Sequence, residues 1–366
     1  MKLKRFGVLA VLSVGLASSL TVGVHAVPAP RPTDPAATAV TLQTQTVPAH
    51  VRVRDVPVVG MVVSDMDTAV RFYTDVLTFQ QISDVEVWGP EVERLQGVFG
   101  TRMRVVQMRL GREVIELTQY LTPQGRSIPV DSRSNDLWFQ HIAIVVSDMD
   151  AAYERLREFD VQYVSTAPQR LPDYLPAAAG IEAFYFQDPD GHNLEVIFFP
   201  EDKGNPRWQD SRGELFLGID HTAIGIADTA TSLAFYRDLL GLEVAGESFN
   251  YGPEQEHLNN VFGARLHISG LTAGAGIGVE FLEYLSPPTG RPYPTDSQAN
   301  DLWHWDITLV VDDANAAAER LQQAGVPFIS AGVIELPDAL LGFQTGFLVR
   351  DPDGHAVRII ERSPAP

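Results

Sequence analysis

The feature that most restricts this chain is that it is written twice. The run "GRSIPVDSRSNDLWFQHIAIVVSDMDAA" from Gly125 returns as "GRPYPTDSQANDLWHWDITLVVDDANAA" from Gly290, and "FQDPDGHNLEVI" returns as "VRDPDGHAVRII", Asp188 matching Asp351. Upstream, the Val98-Phe99-Gly100 triplet returns at Val261 and the Phe72-Tyr73 pair at Phe235. Matches that keep their order along a whole domain's length mark a tandem duplication. The chain therefore folds as two copies of one module, 55–200 and 218–363, joined by a linker over 201–217, each copy long enough to bury a core.

Each module holds a weaker half-repeat. Four segments, "VVGMVVSDMDTAVRFYTDVL", "HIAIVVSDMDAAYERLREF", "HTAIGIADTATSLAFYRDLL" and "DITLVVDDANAAAERLQQAG", run from a β-branched strand through an Asp into a helical pattern. An Asp or Ser there caps the helix by accepting from an orphan N–H of its first turn. Short strands rich in Val, Ile, Phe and Tyr follow, with the Asp-Pro-Asp-Gly of 188–191 and 351–354 marking tight turns. The reading is an α+β fold of four βαβββ units.

The ends read differently. Lys2, Lys4 and Arg5, an apolar run from Phe6 to Val24 and the small-residue step Val24-His25-Ala26 predict a cleavable signal peptide over 1–26, hence a periplasmic or secreted protein. A membrane anchor is the alternative, but Ser13, Ser18, Ser19 and Thr21 dilute a run already short for a span. Residues 27–54, rich in Pro, Ala, Thr and Val, read as a flexible tether. A net charge of −20 argues against nucleic acid and anionic membranes as partners. The absence of cysteine excludes disulfides and lipid attachment through a cysteine. A monomer whose two modules form a pseudo-dimer, acting on a small molecule, is the expected state.

With "VIELT" at 114–118 and "DPDGHNLEV" at 188–196, a His opening the first strand of a unit and a Glu in its last strand, the chain resembles the vicinal oxygen chelate superfamily. That superfamily includes glyoxalase I, epimerases, extradiol dioxygenases and bleomycin and fosfomycin resistance proteins. The resemblance implies cupped mixed sheets with outer helices, two units to a cup. A divalent metal in the cup takes one ligand from the first strand and one from the last strand of each unit. Counting seven residues back from the Asp that ends each first strand gives Val58, His141, His221 and Asp306. The last-strand positions are Glu116, Glu195, Glu280 and Arg358, with Glu280 preferred to Glu283 because residues three apart on a strand face opposite ways.

If each module closes on itself, one cup holds Val58, Glu116, His141 and Glu195, the other His221, Glu280, Asp306 and Arg358, and neither is whole. If the units exchange, one cup collects His141, Glu195, His221 and Glu280 as a metal set for Zn, Ni, Co, Fe or Mn. The other receives Val58, Glu116, Asp306 and Arg358, where the arginine takes the metal's place between two carboxylates. The tidy sorting of intact ligands favours exchange.

The resemblance then implies a lyase or isomerase of glyoxalase I type, with Glu280 or Glu195 moving a proton next to a chelated carbonyl. Export counts against a glutathione-derived substrate. Two alternatives stand beside it. An Fe(II) extradiol dioxygenase needs only His141, His221 and Glu195, and a bleomycin-resistance-like protein would bind a drug or metabolite without catalysis. Of the remaining residues, His192 and His355 read as parts of a repeated turn, and Trp138 and Trp303 as packing residues. Arg126 and Arg291 read equally as cup-rim cations for an anionic substrate or as solvated loop residues. The Gly204–Trp208 segment reads as a linker anchor or a lid.

Overall fold

The computed structural model describes residues 51–361. The signal peptide expected over 1–26 and most of the tether lie outside the described residues.

The four units are present in chain order. The first has β1 (Val53–Val62), α1 (Met66–Asp75), β2 (Gln80–Trp88), α2 (Pro90–Gln96), β3 (Arg102–Leu110) and β4 (Glu113–Thr122). The second has β5 (Gln140–Val146), α3 (Met149–Glu158), two short strands β6 (Gln162–Tyr163) and β7 (Gln169–Arg170), then β8 (Glu182–Gln187) and β9 (Asn193–Phe198). The third has β10 (Phe216–Ile226), α4 (Thr229–Leu233), which continues as a π turn over Ala234–Leu239, then β11 (Glu243–Tyr251), α5 (Pro253–Asn259), β12 (Arg265–Thr272) and β13 (Gly278–Ser286). The fourth has β14 (Trp305–Val311), α6 (Ala314–Gln323), β15 (Ile334–Glu335), β16 (Thr345–Arg350) and β17 (Ala356–Glu361). Two details differ from what the sequence predicts. β1 takes in Val53 and Arg54 from the end of the tether, and the first and third units carry an extra short helix, each opened by a proline after a glycine.

All four strand-ending aspartates cap their helices. Asp65 accepts from Thr68 N at 2.8 Å, Asp148 from Ala151 N at 2.9 Å, Asp228 from Thr231 N at 2.7 Å and Asp313 from Ala316 N at 2.9 Å. Each such cap satisfies an orphan N–H of the first helical turn and fixes where the strand must stop.

Neither module makes a sheet of its own. One sheet has the order β15-β16-β17-β14-β1-β4-β3-β2, the other β11-β12-β13-β10-β5-β9-β8-β6 with β7 on β8. In the first, β1 runs antiparallel to β14 and parallel to β4; in the second, β10 runs antiparallel to β5 and parallel to β13. Every sheet thus joins one unit from each module, and the exchanged pairing is the one formed.

Strand alternation sends Ile142, Ile144 and Val146 of β5 and Ile224 and Ile226 of β10 into a shared apolar cluster with Tyr73, Leu156, Tyr236 and Leu321 from the helical segments. Burying side chains of this size stabilises by about 1.5–3 kcal/mol each. The opposite face, with His141 and Ala143, is left for the cup.

The loops before β5 and β14 clasp each other. Arg126 donates from its backbone N and Nε to Asp301 Oδ1 at 2.9 and 3.0 Å and lies over Trp303; Arg291 does the same to Asp136 and lies over Trp138. A Cβ on Gly125 would collide with Asn300 O, and one on Gly290 with Asn135 O, so both positions need glycine. The two arginines are therefore neither cup-rim cations nor merely solvated: they hold module to module. Trp138 and Trp303 pack beneath them, as expected.

Candidate metal centre

The register of four adjacent strands assembles the cup. Ala223 of β10 pairs with His141 of β5 on one side and Glu280 of β13 on the other; Ala143 of β5 pairs with His221 and Glu195. Four functional side chains thus surround two alanines, whose small size leaves room above the sheet. His141 Nε2 lies 3.1 Å from Glu195 Oε2, and His221 Nε2 lies 3.7 Å from Glu195 Oε2 and 3.5 Å from Glu280 Oε2. The two imidazole centroids are 5.8 Å apart. His141, Glu195 and His221 each offer a donor atom within 4.8 Å of the others. Glu280 joins through His221 and is the most open of the four, its side chain 24 % exposed against 6 % for Glu195.

These residues fit a cation. His221 Nε2 and both ring nitrogens of His141 are buried without a hydrogen-bond partner, a costly state for polar atoms unless something else pairs with them. The close approach of His141 to Glu195 does not meet hydrogen-bond geometry and does not relieve it. Burial works against a charge on His221, yet Glu280, Asp220 and Glu195 outweigh it and push the imidazole up to about 10. A site of such negative potential recruits a cation, and proton and metal compete for the same nitrogen. Burial raises Glu280 above its ordinary value, with His221 opposing.

Sequence reasoning missed the support behind His221. Asp220 Oδ2 lies 3.0 Å from His221 Nδ1, so Nδ1 carries the proton and Nε2 faces the cup. Trp208 Nε1 donates to Asp220 Oδ1 at 2.6 Å, which makes the Gly204–Trp208 segment an anchor, while Gly204 and Asn205 also line the cavity. The only signal in the sequence was Asp220 standing next to His221.

Above the centre is a cavity of about 550 Å³, within the range of small-molecule sites. Ala178, Ile181, Ile197, Phe199 and Leu282 give it apolar walls, and Glu195, His221 and Glu280 its floor.

Residues 54–196 and again 218–359 match the profile of the Glyoxalase family, described as "Glyoxalase/Bleomycin resistance protein/Dioxygenase superfamily". The chain belongs to this superfamily. Among its relatives, a 2-epi-5-epi-valiolone epimerase from Actinomyces sp is 35 % identical over 149 residues, covering 39 % of this chain and 78 % of the relative. A lactoylglutathione lyase from Schizosaccharomyces pombe is 23 % identical over 314 residues, 82 % of this chain and 94 % of that one. A glyoxalase I variant from Zea mays shares the fold, with a TM-score of 0.56 at 15 % identity over 84 % of this chain and 93 % of that one. Members of the superfamily use divalent metals, and His141, Glu195 and His221 form a potential site for one.

The second superfamily cup is built on the same registers and holds an arginine between its carboxylates. Val58 and Asp306 stand at the histidine positions, Glu116 and Arg358 at the glutamate positions. Arg358, 4 % exposed, donates from Nη1 to Glu116 Oε1 and from Nη2 to Asp306 Oδ2, both at 2.7 Å. Burial raises Asp306 above its ordinary value and Arg358 opposes it. Gly60 pairs with both Asp306 and Glu116, as Ala223 does in the other cup, and a Cβ there would come 2.7 Å from Asp306 Oδ2. The arginine-for-metal arrangement expected from the sequence is what the structure holds.

His192 and His355 are buried hubs of the repeated turns. His192 Nδ1 lies 2.8 Å from Asp188 Oδ2 and Nε2 lies 2.8 Å from Leu302 O, tying a turn of one module to the other. His355 Nδ1 lies 2.9 Å from Asp351 Oδ2. Neither belongs to the metal cup.

Proposed function

We propose that this protein is an exported, metal-dependent isomerase or lyase of glyoxalase I type that moves a proton at the carbon beside a carbonyl group. The observation that carries this reading is the buried His141–Glu195–His221 cluster with unpartnered imidazole nitrogens, set under a cavity whose floor also bears the more open Glu280. His141, Glu195, His221 and Glu280 would hold the divalent ion, which when bound supplies Lewis acidity to the substrate's carbonyl oxygen.

Glu280 is the proton-transfer residue in this reading. Its carboxylate takes the proton from the adjacent carbon as the C–H electron pair shifts toward the carbonyl. Return of that proton to the other face or to the neighbouring carbon gives the isomer, so no co-reactant is consumed. A raised pKa suits a group that must both accept and return a proton. Glu195, buried between two imidazoles, is less open to a substrate than Glu280 and serves in this reading as a ligand. The substrate is a small molecule, and no helix among the described residues is long and apolar enough to cross a membrane.

A second reading has one observation behind it. The compact cluster of two histidines and one carboxylate is the ligand set of non-haem Fe(II) oxygenases, and a dioxygenase would leave Glu280 outside the metal sphere. The deciding experiment incubates Zn-loaded and Fe-loaded protein in D₂O with hydroxyacetone, and separately with catechol and oxygen. Deuterium entering the carbon beside the carbonyl, lost in Glu280→Gln with metal retained, supports proton transfer. Oxygen uptake with catechol and no exchange supports the oxygenase, and neither activity in a metal-loaded protein leaves a binding protein. Export is checked by cell fractionation and by an N-terminus at Val27.

A further inference from the structure

Two amide side chains line the metal cup with no partner for their oxygens. Asn250 at the end of β11 is 5 % exposed and Gln255 on α5 is 2 % exposed, and both line the cavity above His221 and Glu280. Asn250 Oδ1 and Gln255 Oε1 have no hydrogen-bond partner; Gln255 Nε2 donates to Asn259 Oδ1. A buried acceptor without a donor is unfavourable, so the wall gains most from a ligand that brings hydroxyl donors to it.

The duplication supplies an internal control. The offset that carries Phe72 to Phe235 and Val98 to Val261 carries Val87 to Asn250 and Val92 to Gln255. In the cup that holds Arg358, Val87 and Val92 pack in an apolar cluster with Leu336 and Leu341. The same backbone accepts valine at both positions, so the fold does not call for the amides. They accompany the cup that retains its metal ligands.

Charge narrows the ligand further. Among the described residues lining this cavity there is no lysine or arginine, while Asp220 and Glu247 stand there in addition to Glu195 and Glu280. A divalent ion would offset two carboxylates and leave the rest, so an anionic substrate meets repulsion with no counter-charge.

We infer that Asn250 and Gln255 are specificity-determining residues and that the substrate is an uncharged, polyhydroxylated carbonyl compound. This rests on the proton-transfer reading for the carbonyl, whereas the hydroxyl contacts are readable by binding alone. The test is calorimetric titration of 2-keto-myo-inositol, 2-hydroxycyclohexanone and S-lactoylglutathione into Zn-loaded protein and into the Asn250→Val/Gln255→Val variant, with zinc content measured for each. The first two probes share a carbonyl with a neighbouring hydroxyl and differ in the remaining hydroxyls. The hydroxylated ketone should bind wild type about tenfold more tightly than 2-hydroxycyclohexanone. The variant should keep its zinc and its affinity for 2-hydroxycyclohexanone while losing that tenfold difference. Equal affinities in wild type, a preference that survives in the variant, no binding of either ketone at millimolar concentration, or tighter binding of the anionic thioester would each overturn the inference. The same titrations on metal-free protein separate the two readings. Failure to take up zinc sinks the proposed function alone, and a persisting preference for the hydroxylated ketone keeps the recognition.

Discussion

Arg358 Nη1 sits 2.7 Å from Glu116 Oε1 in a pocket where neither side chain is more than 5 % exposed, at the position where Glu195 stands in the other cup. Where the other cup carries a carboxylate, this one carries a built-in counter-ion. Removing the guanidinium would leave Glu116 and Asp306 buried beside each other without a positive charge, which typically costs about 3–5 kcal/mol. Arg358→Ala should therefore lower the urea midpoint sharply while leaving metal stoichiometry at the His221 cup unchanged. Arg358→Lys should recover only part, because a single ammonium cannot reproduce two separate donors aimed at two carboxylates. An Arg358→Ala protein as stable as wild type would show that the cluster does not hold this cup together.

Asp220 is expected to set metal affinity through His221. It lies 3.0 Å from His221 Nδ1 and is itself held by Trp208. Burial would raise the Asp220 carboxyl, but the hydrogen bond and charge of His221, with Trp208 and Arg207, hold it below the ordinary value. Loss of such an outer carboxylate weakens metal binding by about 10–100-fold. Asp220→Asn, read by competition with a chelator, should show a loss in that range with an unchanged fold by circular dichroism. Unaltered affinity would remove Asp220 from the centre.

Stability should fall in mildly alkaline solution. Burial disfavours a charge on His192, but Asp188 beside it outweighs burial and raises the imidazole from 6.5 to about 9. A folded pKa above the unfolded one means that this contribution is complete below pH 6.5 and is lost as pH rises through about 9. The protonated imidazole is worth about 3 kcal/mol to the folded state, from roughly 1.4 kcal/mol for each tenfold change in proton affinity. His355 is raised likewise by Asp351, and His221 adds to the trend in metal-free protein. Urea midpoints of metal-free protein at pH 6, 8 and 9.5 should therefore decline, less steeply in His192→Gln. Parallel declines in the two proteins would reject the assignment.

Acid should act through a different histidine. His304 is 3 % exposed, with both ring nitrogens unpartnered, and burial together with Arg350 and Arg358 lowers it to about 3. The unfolded chain takes up this proton below pH 6.5 and the folded chain does not, so stability present above 6.5 drains as pH falls toward 3. The matching position in the other module is Phe139, itself buried in an apolar cluster. His304→Phe should raise the urea midpoint and flatten its decline between pH 6.5 and 4. A destabilised variant would mean that the imidazole has a role that phenylalanine cannot fill.

What could be read from the sequence followed the chain's own repetition. The capping aspartates fixed strand ends, and counting back from Asp148 and Asp228 led to His141 and His221 because helix start and cup-facing position lie on one strand at fixed spacing. The Arg358 cluster was legible for the same reason. The Arg126 and Arg291 clasp was not, since each arginine finds its carboxylate more than 150 residues away and nothing local distinguishes it from a solvated loop. Asp220 was hidden by proximity: a residue next to a ligand points to the other face of an ideal strand, but β10 is irregular between Ile219 and His221. The amides at 250 and 255 were legible in principle as mismatches in the repeat, but only the cavity gives those mismatches a meaning.

The exchanged sheets make a final prediction about cutting the chain. His141 and Glu195 belong to one module, His221 and Glu280 to the other, and the strand pair β5 and β10 joins them. A cut after Arg212 leaves the Trp208 anchor on the first fragment and Asp220 on the second, in a segment exposed from Arg212 to Glu214. Each half then presents two strand edges that have lost their partners, β1 and β5 in one and β10 and β14 in the other, and must aggregate or pair with a copy of itself. A self-paired first half would gather Val58, Glu116, His141 and Glu195 in each cup, one ligand short of the set in the intact chain. Separately purified halves should thus lack tightly held metal, and mixing them should restore one ion per pair. Elemental analysis beside sedimentation measures both. A first half that sediments as a monomer and still holds one metal ion per chain would show that the ligands assemble without the second module, and the exchange would lose its functional meaning.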